Sequence, residues 1–435
     1  MHKLSLDPYL SELGRIPPFR WTGQVTEVIG LLIESRGPCV AIGDFCEVIT
    51  ASGRPIRTQV IGFRDGRVLA MPLEETDGLQ LGDEVAARSE DARVEVGPAL
   101  LGRVIDGFGK PIDGGPGLEA ADAYSLYGTP SNPLLREHIT QPLVTGIRAI
   151  DGLLPCGKGQ RVGIFGGSGV GKSTLLGMMA RNTNADLTVI GLIGERGREV
   201  AELLNALGEE GRRRALVIVS TSDQDPLLRI RAGLAATTVA EYLCGRGKHV
   251  LLVVDSLTRL AMAQREIGLA AGEPPTGKGY TPSVFTMLAR LIERAGAFGT
   301  GSITGFYTVL MEGDDMNDPL VDATRALLDG HVLLDRRLAA QNQYPPIAIL
   351  DSISRIMTAV ATAEHSAKAN QVRRLLAAYR ASEDLIRIGA YQKGGDEELD
   401  RAIALMPPLR EFLVQSTHDP APMQDSLTQL MALPT

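Results

Sequence analysis

The run GIFGGSGVGKSTLL at 163–176 breaks out of an apolar stretch into glycines, one lysine and two hydroxyls, then turns apolar again. Residues 166–173 carry the spacing G-x-x-x-x-G-K-[ST], which cradles phosphates when a strand precedes it and a helix follows. Both flanks are expected here, a strand over 161–165 and a helix from Lys172. The loop glycines, Gly166, Gly167, Gly169 and Gly171, with Ser168 and Val170 between them, let backbone N–H groups face phosphate oxygens. Lys172 then reaches the outer phosphates. Ser173 offers a hydroxyl to Mg²⁺, and Thr174 falls towards the helix surface.

Two further stretches supply carboxylates. VLLVVDS (250–256) ends an apolar run on Asp255; beside a phosphate loop that position holds the Mg²⁺ shell through water. In LIGERGREV (192–200), charges follow directly on an apolar strand, at the sheet edge where open α/β folds gather ligands. Glu195 is the candidate to orient and polarise a water, with Glu199 one helical turn further away; a solvated helix start is the plain alternative. Phosphoryl transfer also needs positive charge on its transition state. Arg355 in DSISR closes the last strand-like run, and spacing alone leaves a salt bridge and a transition-state contact equally open.

These residues need a scaffold, and the chain has the length for it. Its 435 residues, 44% hydrophobic, suit two or three domains with proper cores. Residues 1–18 form a small unit in which Leu4, Leu6, Leu10 and Leu13 make an apolar face, read either as a frayed end or as a docking helix. Short β-rich runs punctuated by SRGP, ASGRP and FRDG fill 19–90 and predict a small β-barrel. A Gly/Pro-rich connector over 98–142 leads into a nucleotide domain spanning 91–355. There, strand-like runs at 187–194, 215–222, 250–256, 302–310 and 345–352 alternate with helical stretches, which argues a mostly parallel sheet covered by helices. From 356 to 435 the pattern is helical. The fold class is therefore α/β with a P-loop core.

Bulk properties exclude some functions. The net charge of −8 and a single Trp argue against nucleic acid as the main partner, since phosphate backbones demand concentrated Lys and Arg and single strands demand stacking aromatics. The four cysteines, Cys39, Cys46, Cys156 and Cys244, form no metal-ligand spacing and read as small buried hydrophobes. No signal peptide or membrane span is evident, so a cytoplasmic protein is expected.

With those residues assembled, the chain over about 20–430 resembles the ATPase family shared by rotary ATP synthase catalytic subunits and type III protein-export ATPases. GGSGVGKST, GERGREV, VLLVVDSLTR and YPPIAILDSISR stand in the family's order and spacing. The resemblance implies a RecA-like core acting on ATP with Mg²⁺. It makes Glu195 the catalytic carboxylate, Arg196 a phosphate-network residue, Tyr344 an aromatic packing on adenine, and Arg355 a finger entering a neighbour's site. Ala348 departs from the acidic, Asn or His residue usual at its place. REIGLAAGEPP, FYTVLMEGDDMNDP and TRALLDGHVLLDRRLA look like the export branch, and within it the flagellar members are the nearer match, with injectisome ATPases as the alternative. The implied partners are further copies in a homohexamer, an export regulator on residues 1–18, a coiled-coil stalk in the central channel meeting Asp314 and Asp315, and the export gate with chaperones and substrates. Association would be peripheral, at the inner face of the cytoplasmic membrane.

Overall fold

Six short strands close into a barrel in the computed structural model, which describes residues 21–88, 92–118, 122–128 and 132–434. Their order is Thr22–Ile29, Leu32–Arg36, Arg67–Pro72, Pro55–Arg64, Phe45–Ile49 and Glu84–Arg88, which pairs back onto the first. Period-two alternation brings Val25, Ile33, Cys46, Val48, Ile56, Val60, Val68 and Val85 inside. Arg64 pairs with Arg67 across Asp65 (φ 49) and Gly66 (φ 74), the two positive φ values that a two-residue type I′ hairpin requires. The run 23–35, legible as one β stretch, is two strands, because Gly30 turns the chain with φ 58. Cys39 corrects the reading of four buried cysteines: it lies in the loop after Arg36 and is exposed, whereas Cys46, Cys156 and Cys244 are buried. Residues 1–18, expected as a frayed end or a docking helix, lie outside the described residues.

A second compact unit begins at Val94 and holds the phosphate loop. Its main sheet runs Ile353–Ser354, Gly330–Leu333, Arg161–Gly166, Ser302–Leu310, His249–Asp255, Leu187–Glu195, Ala215–Thr221 and Val104–Asp106. All neighbours along this path are parallel except Ile353–Ser354, which is antiparallel to Gly330–Leu333. His249–Asp255 is buried along its whole length, as a parallel strand covered on both faces must be.

Two expectations fail at the sheet's edges. The Gly/Pro-rich connector contributes a strand, Val104–Asp106, whose Ile105 is fully buried beside Ala215–Thr221; three residues are too short a run to stand out among glycines. The run 345–352 is not a strand. It makes a single antiparallel bridge, Ile347 to Leu334, and then folds through a 3-10 turn at Ile349–Asp351, so Ile347, Ala348 and Ile349 are buried without a strand forming. The pairing strand of that region is Gly330–Leu333, out of GHVLL.

Three helices, Ala363–Arg387, Glu397–Leu413 and Met423–Ala432, follow. They pack on the helix Arg148–Leu153. Gly152 makes the close approach possible: a Cβ there would stand 2.8 Å from Cζ of Phe412. His365 Nε2 donates to the Gly152 carbonyl at 2.7 Å, and Arg148 N donates to Gln415 Oε1 at 3.0 Å. Among the described residues, no helix is long and apolar enough to cross a membrane. Phe412→Ala is expected to cost about 3–5 kcal/mol, read as a lower denaturant midpoint of the helical region; an unchanged midpoint would show that this ring does not hold the helices to Arg148–Leu153.

Candidate functional site

The site is built where the parallel strands end. Arg161–Gly166 delivers the chain into the glycine loop, and the helix Lys172–Asn182 leaves it. Gly169 (φ 78) and Gly171 (φ 89) take the left-handed conformations that turn the loop. A Cβ on Gly166 would press on Cβ of Leu334 at 3.0 Å, so the loop's base is closed by packing. Val170 plugs the interior of the loop, while Ser168 and Gly169 are exposed at its mouth. Thr174 is exposed one residue beyond Ser173.

Lys172 is buried, and Nζ donates to the Gly166 carbonyl at 3.2 Å, curled over its own loop. Burial holds its pKa below the ordinary value against the pull of Asp255, Glu195 and Glu199. Asp255, also buried, ends its strand within the same charge cluster, and the Thr308 hydroxyl donates to its Oδ1 at 2.5 Å. Burial raises the Asp255 carboxyl, with Thr308 and Lys172 opposing. Glu195 ends the neighbouring strand and is buried.

Glu195 and Glu199 are partners, which the sequence did not reveal. Burial pushes the Glu195 carboxyl up to about 8, helped by a hydrogen bond to Glu199 and by the charge of Asp255. That same hydrogen bond holds Glu199 below its ordinary value. The two carboxyls thus titrate as one pair around a single proton. Because the folded value lies above the ordinary 4.5, the proton's contribution to stability is complete below that pH and is lost as pH rises through about 8.

Arg259 was also missed. It stands four residues after Asp255 on the helix Leu257–Ala271, so one turn of helix returns it to the strand end. Its charge acts on Lys172, Glu195, Glu199 and Asp255 alike. Gly194 (φ 68) makes room for it, since a Cβ there would meet Arg259 Cβ at 2.8 Å. Its Nε is buried without a partner among the described residues. The only signal in the sequence was the DSLTR spacing.

Around this centre, Arg196 is exposed as N-cap of the helix Gly197–Arg213. Tyr344 is half exposed; its Cε1 would lie 4.0 Å from a Cβ on Gly171, and its carbonyl accepts from Gln415 N at 2.8 Å. Asp314 and Arg336 converge on Gly167, where a Cβ would stand 2.8 Å and 2.7 Å from Oδ1 and a guanidinium nitrogen. Asp315 pairs with Lys278 at 3.0 Å, as does Asp318 at 2.9 Å, so this loop already has a basic partner within the chain.

Arg355 is the one candidate residue that the structure keeps away from its own loop. Ser354 pairs with Gly330, and Gly330 with Val162, near the start of the phosphate-loop strand. Gly166 is about 13 Å further on at roughly 3.3 Å per residue, longer than an arginine side chain. Arg355 is exposed at the opposite end of the sheet.

A parallel sheet that ends in a phosphate loop, with a buried lysine and carboxylates at the strand ends, defines a P-loop nucleotide-binding protein. Family models sharpen that class: the ATP synthase alpha/beta family nucleotide-binding domain matches 146–354, its beta-barrel domain 25–88, and the T3SS EscN ATPase C-terminal domain 361–432. The flagellum-specific ATP synthase of Bacillus subtilis is 51% identical over 94% of this chain and 94% of its own. The assembled ATPase EscN of the enteropathogenic E. coli type III secretion system superposes with a TM-score of 0.90 at 45% identity, covering 94% of this chain and 99% of EscN. EscN assembled with its central stalk EscO gives 0.87 at 44% identity, with the same coverage. The chain belongs to the ATP synthase alpha/beta family, and is an ATP-hydrolysing member of it.

Glu199→Gln removes a like charge beside Glu195 and leaves an amide able to donate to its carboxylate. If Glu195 must be ionised to act, the rising limb of ATP turnover between about pH 6 and 9 moves to lower pH by about one unit. A limb that stays in place would show that the two carboxyls do not share the proton.

Proposed function

We propose that this chain is the cytoplasmic ATPase of a flagellar type III protein export apparatus, using ATP hydrolysis to unfold export substrates and deliver them to a membrane gate. The similarity to the flagellum-specific protein of Bacillus subtilis supports the flagellar reading, and the similarity to EscN keeps an injectisome ATPase as the alternative. The working domains are 19–90, 91–355 and 356–435.

In this reading the loop amides of residues 166–171 and Lys172 bind the β- and γ-phosphates, and the adenine packs on Tyr344. The Arg259 guanidinium, whose buried Nε lacks an acceptor, takes one from a phosphate oxygen. Ser173 and Asp255 offer hard oxygen donors of the kind Mg²⁺ takes, and the ion would supply positive charge on the phosphates. Glu195 orients the attacking water and, in its ionised form, accepts its proton; a carboxyl raised to about 8 is mostly protonated at neutral pH, so this step gains as pH rises towards 8. Arg196, exposed at the rim, meets the phosphate network from outside.

The observation that carries the mechanism is the position of Arg355. Its distance from its own phosphate loop supports delivery of its transition-state charge to another subunit. We infer a homohexameric ring, and the assembled state of EscN supports self-association. EscN's complex with EscO supports a coiled-coil stalk in the channel, near the loop 312–319, and placement at the membrane would be peripheral. Residues 1–18 would dock the export regulator.

Lys172→Ala and Arg355→Ala are each expected to lower ATP turnover by about a thousandfold or more while the chains still fold. Assembled together, each supplies what the other lacks, and part of the activity returns. If a co-assembled mixture recovered nothing, Arg355 would not act across the boundary. Export of flagellar proteins in a strain carrying Lys172→Ala separates the biological readings: intact flagellar export with lost injectisome secretion would favour the alternative.

A further inference from the structure

We propose that Asp329 is the positioning residue of the Arg355 finger, fixing it to the first residue of the subunit's own phosphate-loop strand. The inference rests on the reading of Arg355 as a group donated to the neighbouring site. Asp329 precedes the strand Gly330–Leu333 and faces two ways. Its carboxylate accepts from Arg161 N at 3.1 Å, from Nε at 3.0 Å and from a terminal guanidinium nitrogen at 3.0 Å. Its backbone N donates to the Arg161 carbonyl at 2.9 Å, and its own carbonyl accepts from Arg355 N at 3.1 Å. The fully buried Gln160 donates Nε2 to that same carbonyl at 3.2 Å.

The finger strand has little freedom beyond this clamp. A Cβ on Gly330 would stand 2.6 Å from the Ile353 carbonyl oxygen and 3.3 Å from Cα of Ser354, so Ile353–Ser354 lies directly on a residue without a side chain. Ser354 Oγ donates to the Pro155 carbonyl at 2.6 Å. Four contacts therefore fix the backbone from which Arg355 projects, and its exposed side chain is aimed by them. The clamp also joins two sites: Arg161 begins the strand that ends in this subunit's own loop, while Arg355 serves the next. Movement of the phosphate-loop strand in one subunit is passed through Asp329 to the charge offered to its neighbour.

Two variants disturb the clamp differently. Asp329→Asn weakens the grip on Arg161, and Gly330→Ala pushes on the finger strand while leaving the carboxylate intact. Each is expected to lower kcat by roughly tenfold to a hundredfold, the scale of a misplaced catalytic group, with ring assembly and binding of a fluorescent ATP analogue to its own loop unchanged. Co-assembly with Lys172→Ala protein, whose clamp and finger are intact, should restore turnover at the variants' own phosphate loops. Unchanged kcat in both variants, or loss that Lys172→Ala protein fails to rescue, overturns the assignment. The Arg355→Ala and Lys172→Ala mixture run beside them separates the two failures: recovery there without rescue of Asp329→Asn and Gly330→Ala condemns the clamp alone, and no recovery there removes the finger with it.

Discussion

Four ionisable groups, Lys172, Glu195, Asp255 and Arg259, meet at the carboxyl edge of a buried parallel sheet, and the strands, loop and helices that carry them are arranged around that concentration of polar chemistry. Removing such groups from water is costly unless they are paired. Here the compensation is mutual and incomplete. Asp255 is held by Thr308, Glu195 and Glu199 titrate around a single proton, and Arg259 retains an unpartnered nitrogen. An anion with several acceptor oxygens completes what the chain leaves open, so the cost of assembling the site is offset when nucleotide binds.

Backbone geometry makes the concentration possible. Neighbouring parallel strands are about 4.8 Å apart, and strand ends at Gly166, Asp255 and Glu195 bring their residues to one edge without long side chains having to search for one another. Gly194 and Gly152 act by what they lack: one admits Arg259 against the strand end, the other admits Phe412 against the helix Arg148–Leu153. The helical region therefore touches the nucleotide site through Tyr344, whose carbonyl is held by Gln415. Packing far from the phosphates thus reaches the residue proposed to carry the adenine.

Much of this was legible in the sequence where a local pattern and a local structure coincide. The helix starting at Lys172 and the strand Ser302–Leu310 lie where apolar runs and the loop spacing put them. Apolar character alone misleads at 345–352, because burial under a 3-10 turn and burial in a ladder draw on the same residue types. Val104–Asp106 was hidden for the converse reason, a strand too short for any period to show. The Glu195–Glu199 contact is invisible to motif reading since it depends on how the helix Gly197–Arg213 leaves the strand, and Arg259 on a vacancy at Gly194. Cys39 shows the limit of composition: a residue type usually buried sits in a loop.

A parallel sheet has two ends with different chemistry, and this chain uses both. The carboxyl end gathers the phosphate loop and carboxylates; at the amino end, an antiparallel addition, Ile353–Ser354, carries an arginine outward. On the proposed reading of Arg355, a single copy holds the two halves of a site at opposite ends of its sheet. Only a head-to-tail arrangement brings the arginine of one copy to the loop of the next, and head-to-tail contacts either close into a ring or continue without limit. On that reading, closure is the arrangement in which every loop receives a finger and no copy is left with an unmatched half.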